Sequence, residues 1–213
     1  MLLDESGPRI YLLRHGDTAW NAEGRYQGRK DSGLTDRGRR QVASLGRRLA
    51  SEVSHLQEPL TAYVSPLGRA QETADILARY VTFDRIDEPR LAEVSLGTWD
   101  GLSDEEIELE FPNARTGTDA FDWFFRSPDG EKFDAACDRV TSWLHEVRRP
   151  VVAISHGLIG RLVRGVFLGL ERRATLELPV PQDTLYDLVG GPARSVRELI
   201  GEPESVGRAP RQP

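Results

Sequence analysis

The sequence contains very little cysteine and no long hydrophobic run. Its one cysteine, Cys137, excludes an internal disulfide framework and fits the reducing environment of the cytoplasm. No apolar stretch approaches the roughly 20 residues that a membrane helix needs. The N-terminal residues lack the basic start and apolar continuation of a secretory signal. We therefore expect a soluble, cytoplasmic protein with no membrane partner.

The charge balance excludes a further class of function. The 213 residues carry a net charge of −6, whereas proteins that bind duplex nucleic acid present a basic surface. Hydrophobic residues make up 38% and charged residues 29% of the chain, which is typical of a globular protein. The length favours one domain, residues 1–213, and is also compatible with two small ones. Nucleic acid is not an expected partner.

Three common kinds of site lack their sequence signals. The four histidines and one cysteine show neither HxxxH nor paired-cysteine spacing, so no metal site is predicted. The Gly-x-Ser-x-Gly turn of many serine hydrolases is absent. The Gly-x4-Gly-Lys-Ser/Thr loop that binds nucleotide phosphates is absent as well.

Apolar runs and helical spacings alternate along the chain. The apolar runs predict strands at residues 10–13, 61–64, 85–91, 151–154 and 184–189. Helical spacing predicts helices after Thr35 to residue 53, and over residues 66–80, 131–147 and 158–168. Ser65 and Pro66 are the expected N-cap and first-turn residue of the second helix. This alternation predicts a three-layer α/β/α fold with a mainly parallel central sheet.

Two segments do not fit the alternation. Residues 98–130 are acidic and then aromatic, which predicts a cap inserted into the domain. Residues 201–213 are rich in Pro, Gly and Arg, which predicts a loose C-terminal tail.

Three of the predicted strands end in polar clusters, at residues 14–16, 65–69 and 155–157. Ligands of parallel sheets bind outside the carboxyl ends of the strands, where these clusters would meet. Two clusters lead into predicted helix N-termini, whose free N–H groups favour anions. The clusters contribute two arginines and two histidines: Arg14, Arg69, His15 and His156. Arginine binds phosphoryl oxygens in a bidentate manner, so the combination predicts a phosphate site.

Phosphoryl transfer without a metal needs a nucleophile and a proton donor. A lone histidine after a strand is more often an ordinary polar residue, but the joint placement of the clusters favours a functional role. His15 can attack phosphorus as a neutral imidazole and form a covalent intermediate. Glu93, after the strand predicted over residues 85–91, is the candidate donor, although spacing alone favours an ordinary surface glutamate.

These residues together resemble the histidine phosphatase superfamily, in its phosphoglycerate mutase-like branch. The family pattern Arg-His-Gly-x-Thr-x-x-Asn is matched at residues 14–21. Further matches follow in the family's order at residues 24–28, 34–38, 65–74, 91–101, 128–131 and 155–157. The similarity spans roughly residues 9–168, and the combination of motifs is far more specific than any one of them.

The resemblance implies a role for each matched residue. His15 would become phosphohistidine, and Glu93 would act as general acid and later as base. Arg14, Arg69 and His156 would hold the phosphoryl oxygens. The resemblance further implies a set of phosphate- and substrate-binding residues: Asn21, Gln27, Gly28 and Gly157. It implies no metal and no organic cofactor.

The reaction type stays open between a phosphatase and a mutase. Only 62 residues separate Glu93 from His156, and residues 100–122 carry eight acids against one base, Arg115. Acidic groups oppose a second bound phosphate. We therefore expect a phosphomonoester hydrolase, a histidine phosphatase, acting on a small phosphorylated metabolite. A bisphosphoglycerate-dependent phosphoglycerate mutase is the alternative if Arg115, Arg126 and Lys132 point inward.

A third hypothesis is a non-catalytic phosphate-binding module, which the presence of every matched catalytic residue disfavours. The aromatic residues within 121–125 could wall a substrate pocket, but packing of the cap or a subunit interface is favoured. A homo-oligomer is left open.

Overall fold

A central sheet organises the chain. The computed structural model describes residues 8–118 and 121–201, and within these the strands form one six-stranded sheet. The strands are β1 (Arg9–Arg14), β2 (Leu60–Val64), β3 (Phe83–Asp87), β4 (Val151–Ser155), β5 (Thr184–Val189) and β6 (Ser195–Ile200). Their order is β3-β2-β4-β1-β5-β6. The pairings among β1 to β4 are parallel, and β5 and β6 pair antiparallel, so the predicted mainly parallel sheet is confirmed.

Helices cover both faces of the sheet. They are α1 (Ala19–Ala22), α2 (Asp36–Val53), α3 (Gly68–Leu77), α4 (Asp104–Glu110), α5 (Phe133–Leu144), α6 (Gly157–Leu168) and α7 (Arg172–Leu176). Apolar side chains of α2 and α3 pack on one face, and those of α5 and α6 pack on the other. The predicted three-layer fold is therefore confirmed. None of the helices within the described residues has the length and hydropathy needed to cross a bilayer.

The alternation of side chains along β1 explains why this strand is apolar throughout. Ile10 and Leu12 join the core beneath α5 and α6, whereas Tyr11 and Leu13 join the core beneath α2 and α3. All four are buried. A strand covered on both faces has no position for a polar side chain, so polarity begins only where the strand ends.

The three clusters predicted to converge lie on adjacent strands. The N–H of His15 donates to the carbonyl oxygen of Ser155 (3.0 Å), which joins the ends of β1 and β4. The N–H of Ser65 donates to the carbonyl oxygen of Ile154 (3.0 Å), which joins β2 to β4. The sheet therefore brings residues that are far apart in sequence together at the carboxyl ends of β1, β2 and β4.

Some element boundaries were predicted wrongly. The helix expected at residue 66 begins at Gly68 with Leu67 as its N-cap, and the Ser65 hydroxyl bonds His156 and accepts the N–H of Leu67. The strand expected over residues 85–91 is β3, which starts and ends earlier, and Pro89 opens a short 3-10 helix, Pro89–Leu91. Proline lacks the N–H that a strand needs for its ladder.

Other differences lie towards the C-terminus. The helix expected over residues 131–147 is α5, which is shorter at both ends. β6 was not predicted, because its exposed edge position gives a mixed polar pattern rather than an apolar run. The predicted tail beyond Gly201 lies outside the described residues.

The segment predicted as a cap has a small core of its own. It contains the 3-10 helices Gly97–Trp99 and Asp122–Arg126 on either side of α4. The buried residues of this core are Leu96, Trp99, Ile107 and Trp123. A capping box at Ser103 starts α4, since Ser103 and Glu106 each accept the other's backbone N–H.

The two-sided core predicts where the fold is sensitive. Leu45 on α2 is 1% exposed, so Leu45→Ala should lower the free energy of unfolding by about 2–5 kcal/mol through lost burial and a cavity. Leu109→Ala is the control, because Leu109 is 81% exposed, and its effect should stay within about 0.5 kcal/mol. Urea unfolding measures both variants. A loss of less than about 1 kcal/mol in Leu45→Ala would contradict this packing.

Candidate active site

A cavity of about 370 Å³ lies at the carboxyl ends of β1, β2 and β4. Eight of the nine residues predicted for the site line it: Arg14, His15, Asn21, Gln27, Gly28, Arg69, Glu93 and Gly157. The ninth, His156, is buried beside His15, and the two ring centroids are 5.2 Å apart. The structure thus brings the predicted residues together.

His15 is held as a neutral imidazole with one free nitrogen. Its Nδ1 lies 2.8 Å from the carbonyl oxygen of Gly16, which can only accept, so Nδ1 carries the hydrogen and Nε2 is unprotonated. Burial and the charges of Arg14 and Arg69 hold the pKa of His15 well below its ordinary value of 6.5. A neutral Nε2 with a lone pair is the form that acts as a nucleophile.

Gly16 is required by a close contact behind His15. A Cβ at this position would lie 2.6 Å from the carbonyl oxygen of Gly38 in α2, nearer than side-chain carbons approach backbone. The N–H of Gly16 donates to the hydroxyl of Thr73 in α3 (3.3 Å). The glycine therefore lets the end of β1 fit between two helices, which fixes the direction of His15.

Arg69 is buried and oriented by oxygen atoms of one loop. Its Nη1 donates to the carbonyl oxygen of Lys30 (2.7 Å) and to Asp31 (3.0 Å), and its Nη2 donates to the carbonyl oxygen of Gly28 (2.9 Å). Gly28 has a φ of +51°, and a Cβ there would collide with the Asp100 carboxylate. The loop can therefore hold the guanidinium only with glycine at this position.

Arg14 is held in a similar way from the opposite end of the chain. Its Nη1 donates to the carbonyl oxygen of Val180 (2.9 Å). The Nε–H groups of Arg14 and Arg69 are both buried and have no acceptor among the described residues. Buried donors without partners are costly, so an anion in the cavity would supply the acceptors that the protein does not.

His156 is the second buried imidazole. Its Nε2 is 2.6 Å from the hydroxyl of Ser65, and its Nδ1 has no partner in the described part of the chain. Burial, Arg69 and His15 hold the pKa of His156 well below 6.5. Two neutral histidines and two guanidinium groups therefore share one small volume.

Glu93 is fixed by backbone N–H groups. Its carboxylate accepts from Val94 (2.9 Å), and from Leu158 (3.1 Å) and Ile159 (2.9 Å) in the first turn of α6. A helix N-terminus favours a carboxylate in this position. The prediction that Glu93 directly follows a strand is wrong, since a 3-10 helix intervenes. Glu93 is nevertheless part of the cavity wall rather than an ordinary surface residue.

Asn21 and Gln27 complete the wall near His15. The Oδ1 of Asn21 accepts from the Nε2 of Gln182 (2.8 Å) and from the N–H of Thr18 (3.3 Å). Gln27 is buried, and its Oε1 accepts from the hydroxyl of Ser32 (3.1 Å). Each amide oxygen therefore accepts a hydrogen bond, and these bonds orient the two side chains.

The comparison with known proteins decides the family. The sequence profile of the histidine phosphatase superfamily (branch 1) matches residues 10–199. The chain belongs to the histidine phosphatase superfamily.

Relatives of this chain include a named mutase and a named phosphatase. Probable phosphoglycerate mutase GpmB of Photorhabdus laumondii subsp. laumondii is 34% identical over 182 residues, which is 80% of this chain and 79% of that protein. The structure of a mycobacterial glucosyl-3-phosphoglycerate phosphatase with VO3 has a TM-score of 0.74 at 26% identity, covering 92% of this chain and 99% of that one. Bacillus stearothermophilus YhfR has a TM-score of 0.73 at 27% identity, covering 90% and 95%.

Sequence reasoning missed several residues of the histidine phosphatase cavity. Arg161 lines it from the second turn of α6, four residues after Gly157, and this helical spacing was an available signal. Gln182 reaches Asn21 and Val180 reaches Arg14 from a segment without regular structure, for which the sequence offers no local signal. In the described ranges, no three His, Cys, Asp or Glu side chains form a group that could hold a metal ion.

The aromatic residues within 121–125 divide between two roles. Phe121 and Phe124 line the cavity, together with Tyr26 from the loop after α1. Trp123 and Phe125 are buried in hydrophobic cores. Packing was favoured over a pocket wall for these aromatics, and the structure shows that each role applies to part of the group.

The neutral histidines predict how stability depends on pH. His15 and His156 would each take up a proton on unfolding at pH values between their lowered pKa and about 6.5. The unfolded state then binds more protons, so the free energy of unfolding should fall below pH 6.5 by up to about 1.4 kcal/mol per pH unit for each histidine.

Urea unfolding of the wild type and of His15→Gln from pH 7.5 to 5.5 measures this loss. The variant should show a shallower decline, because one of the two titrating groups is gone. His55→Gln is the control, since His55 is exposed. An identical decline in the wild type and His15→Gln would contradict the neutral state of His15.

Proposed function

We propose that this histidine phosphatase is a metal-independent phosphomonoester hydrolase that acts on a small phosphorylated metabolite through a phosphohistidine at His15. The observation that carries the proposal is the free Nε2 of a neutral His15 in a cavity where Arg14 and Arg69 have unpartnered Nε–H groups. A nucleophile and two anion-binding cations thus face the same ligand. Besides this nucleophile and these cations, hydrolysis needs a group that carries a proton, and Glu93 can do so.

The first half of the reaction forms the phosphohistidine. The lone pair of His15 Nε2 forms a bond to phosphorus as the bond from phosphorus to the ester oxygen breaks. Protonated Glu93 gives its proton to that oxygen, and an alcohol leaves. Arg14, Arg69 and His156 bind the phosphoryl oxygens, whose charge they stabilise in the transition state.

The second half regenerates the enzyme. The Glu93 carboxylate accepts a proton from water as the water oxygen attacks phosphorus. The phosphorus–nitrogen bond breaks, and its electron pair returns to Nε2 of His15. Inorganic phosphate leaves, and Glu93 is again protonated for the next substrate.

The remaining predicted residues act through position. Asn21 and Gln27 line the pocket and bind the phosphoryl group or the leaving group. Gly28 orients Arg69 through its carbonyl oxygen, and Gly157 lies beside Arg14 at the start of α6. The cap, residues 98–130, supplies the aromatic side of the wall.

The surroundings of the cavity favour a phosphatase over a mutase. A mutase must bind a second phosphate, for which Arg115, Arg126 and Lys132 were the candidates. Arg115 pairs with Asp104, whereas Arg126 and Lys132 donate to backbone carbonyl oxygens. None of the three lines the cavity. Of the acidic residues of α4, Asp104 lines the cavity, where its charge opposes a second phosphate.

A phosphoglycerate mutase is the second candidate, because relatives that are 34% identical carry that name. The phosphatase is favoured by the solved relative named as a glucosyl-3-phosphoglycerate phosphatase and by the position of the three cations outside the cavity lining. A non-catalytic module is disfavoured, since every group that the reaction needs is present. We assign the activity to the cytoplasm, where the half-buried thiol of Cys137 would stay reduced.

Phosphate release from p-nitrophenyl phosphate, with EDTA present, tests the reaction directly. His15→Ala should lower kcat by at least about a thousandfold and abolish the phosphoenzyme, because the nucleophile is lost. His55→Ala, at an exposed histidine, should keep wild-type activity. Isomerisation of 3-phosphoglycerate without net phosphate release would favour the mutase instead. Activity retained in His15→Ala would refute the mechanism.

The role of Glu93 is tested by the leaving group. In single turnovers, Glu93→Gln should slow alcohol release from alkyl phosphates by about 10²–10⁴-fold, because an alkoxide needs a proton. Release of p-nitrophenolate should slow much less, since it leaves without protonation. Glu110→Gln, at an exposed glutamate, is the control. Equal losses with both leaving groups would remove Glu93 from the acid role.

A further inference from the structure

The segment of residues 178–182, between α7 and β5, forms neither helix nor strand, yet it orients two residues of the cavity. The carbonyl oxygen of Val180 accepts from Arg14 (2.9 Å), and the Nε2 of Gln182 donates to Asn21 (2.8 Å). Packing does little to hold this segment, because each of its residues is half-buried or exposed. Hydrogen bonds from the rest of the protein must therefore fix it.

Two arginines of α6 supply such bonds. The Nε of Arg161 donates to the carbonyl oxygen of Leu178 (2.7 Å), and the Nη2 of Arg164 donates to that of Pro179. Arg14 donates to the carbonyl oxygen that follows, so three guanidinium groups bind three consecutive carbonyl groups. Arg161 and Arg164 are three residues apart and lie on the same side of the helix.

The two prolines of the segment make it stiff. The ring of a proline fixes its own φ and disfavours the helical conformation of the residue before it. Leu178-Pro179-Val180-Pro181 is therefore restricted at four successive residues. The carbonyl group of Pro179 and the N–H of Val180 belong to one planar unit. A bond that fixes the Pro179 oxygen thus limits where the next carbonyl oxygen, which accepts from Arg14, can lie.

Arg164 is a costly residue at its position. It is 2% exposed, and its guanidinium carbon lies 3.9 Å from the ring centroid of Tyr186. None of the ion pairs formed by the described residues includes it. Burial lowers the pKa of Arg164 from its ordinary value, because the charged form is disfavoured there. Apolar side chains that replace buried charges often leave stability equal or higher.

Neither ligand contact nor a need of the fold accounts for this buried cation. Arg164 is not among the residues that line the catalytic cavity. It lines a separate small space, together with Arg14 and His156. The carbonyl oxygen of Pro179 would keep a partner without it, since the hydroxyl of Tyr186 also donates to this oxygen (3.1 Å). What Arg164 adds is a second, charged donor that fixes the direction of this carbonyl group.

We propose that Arg164 is a positioning residue of the active site, which acts through the backbone at Pro179. By fixing this carbonyl group it places the next one, on Val180, where it orients Arg14 toward the phosphoryl group. The proposal rests on the proposed function, which puts the phosphoryl group beside Arg14. Arg164 itself touches neither the substrate nor the reacting atoms. Natural sites often combine a local loss of stability with a gain in function.

The affinity for inorganic phosphate, measured by calorimetry, tests this role without turnover. Arg164→Met removes the guanidinium and keeps an unbranched stem. It should weaken phosphate binding by at least about fivefold, which is part of the value of one charge-assisted hydrogen bond. Arg164→Lys should retain part of the affinity, because the charge and a donor stay. Wild-type affinity in Arg164→Met would overturn the proposal.

Arg194→Met is the matched control for the loss of an arginine that binds backbone. Arg194 donates to the carbonyl oxygen of Phe167 at the other end of α6 (2.9 Å), and it does not line the catalytic cavity. Its phosphate affinity should equal that of the wild type. A loss as large as that of Arg164→Met would overturn the assignment to Arg164.

A double-mutant cycle decides whether Arg164 acts through Arg14. In the Arg14→Met background, Arg164→Met should change the phosphate affinity by less than about twofold, because the group that it positions is already gone. The same loss in both backgrounds would mean that the two residues act independently. That result would overturn the proposal.

Urea unfolding separates positioning from support of the fold. Arg164→Met should unfold at a urea concentration equal to or above that of the wild type, since the Tyr186 hydroxyl still donates to Pro179 and a buried charge is removed. A lower midpoint together with wild-type phosphate affinity would show a structural role only and overturn the proposal. Arg164→Gln, shorter and polar, replaces Arg164→Met if that protein does not fold, with the same expected results.

Turnover of p-nitrophenyl phosphate by the wild type tests the proposed function separately. Absent turnover, with weaker phosphate binding in Arg164→Met, would refute the hydrolase and support the positioning role. Turnover by the wild type, with unchanged phosphate affinity in Arg164→Met, would support the hydrolase and overturn the role of Arg164.

Discussion

The site depends on positive charge that is buried beside neutral histidines and is only partly neutralised. Arg14 and Arg69 are oriented mainly by backbone carbonyl oxygens, those of Val180, Lys30 and Gly28. A carbonyl oxygen fixes a guanidinium without cancelling its charge, as a carboxylate would. The remaining charge both opposes protonation of the histidines and attracts a phosphoryl dianion. One arrangement therefore suits His15 to the proposed nucleophilic role and the cavity to the proposed phosphoryl ligand.

The sequence allowed the inner half of the site to be predicted but not the outer half. His15 and His156 follow directly after strands buried on both faces, so that their polarity stands out against apolar neighbours. Glu93 lacks this contrast: it was a candidate whose spacing alone favoured an ordinary surface glutamate, and the family resemblance supported its role. Gln182 and Val180 reach the site from an irregular segment, where local sequence carries no periodic signal. Ser65 was predicted as a helix cap, and a hydroxyl before a helix can bond more than one group. Only the fold shows that this hydroxyl is bonded to His156.

The cavity has a floor, formed by the ends of sheet strands, and a wall, formed by segments outside the sheet. The floor comes from the ends of β1, β2 and β4, whose geometry is set by the sheet. The wall comes from segments outside the sheet, including Phe121 and Phe124 of the cap and Arg161 of α6. Relatives carry different functional names, which is expected if the floor supplies the chemistry and the wall the choice of substrate. Changes to the wall leave the sheet intact, so such a family can diversify without a loss of stability.

The position of β1 in the sheet has a consequence for how the protein is made. Among the six described strands β1 is synthesised first, yet its two neighbours, β4 and β5, are synthesised much later. The hydrogen bond from the N–H of His15 to the carbonyl oxygen of Ser155 can form only after Ser155 has been synthesised, 140 residues later. Pairings between such distant parts of a chain form late and slowly. Until β4 and β5 have been synthesised and have paired with β1, His15 therefore lacks the surroundings that suit it to the proposed nucleophilic role.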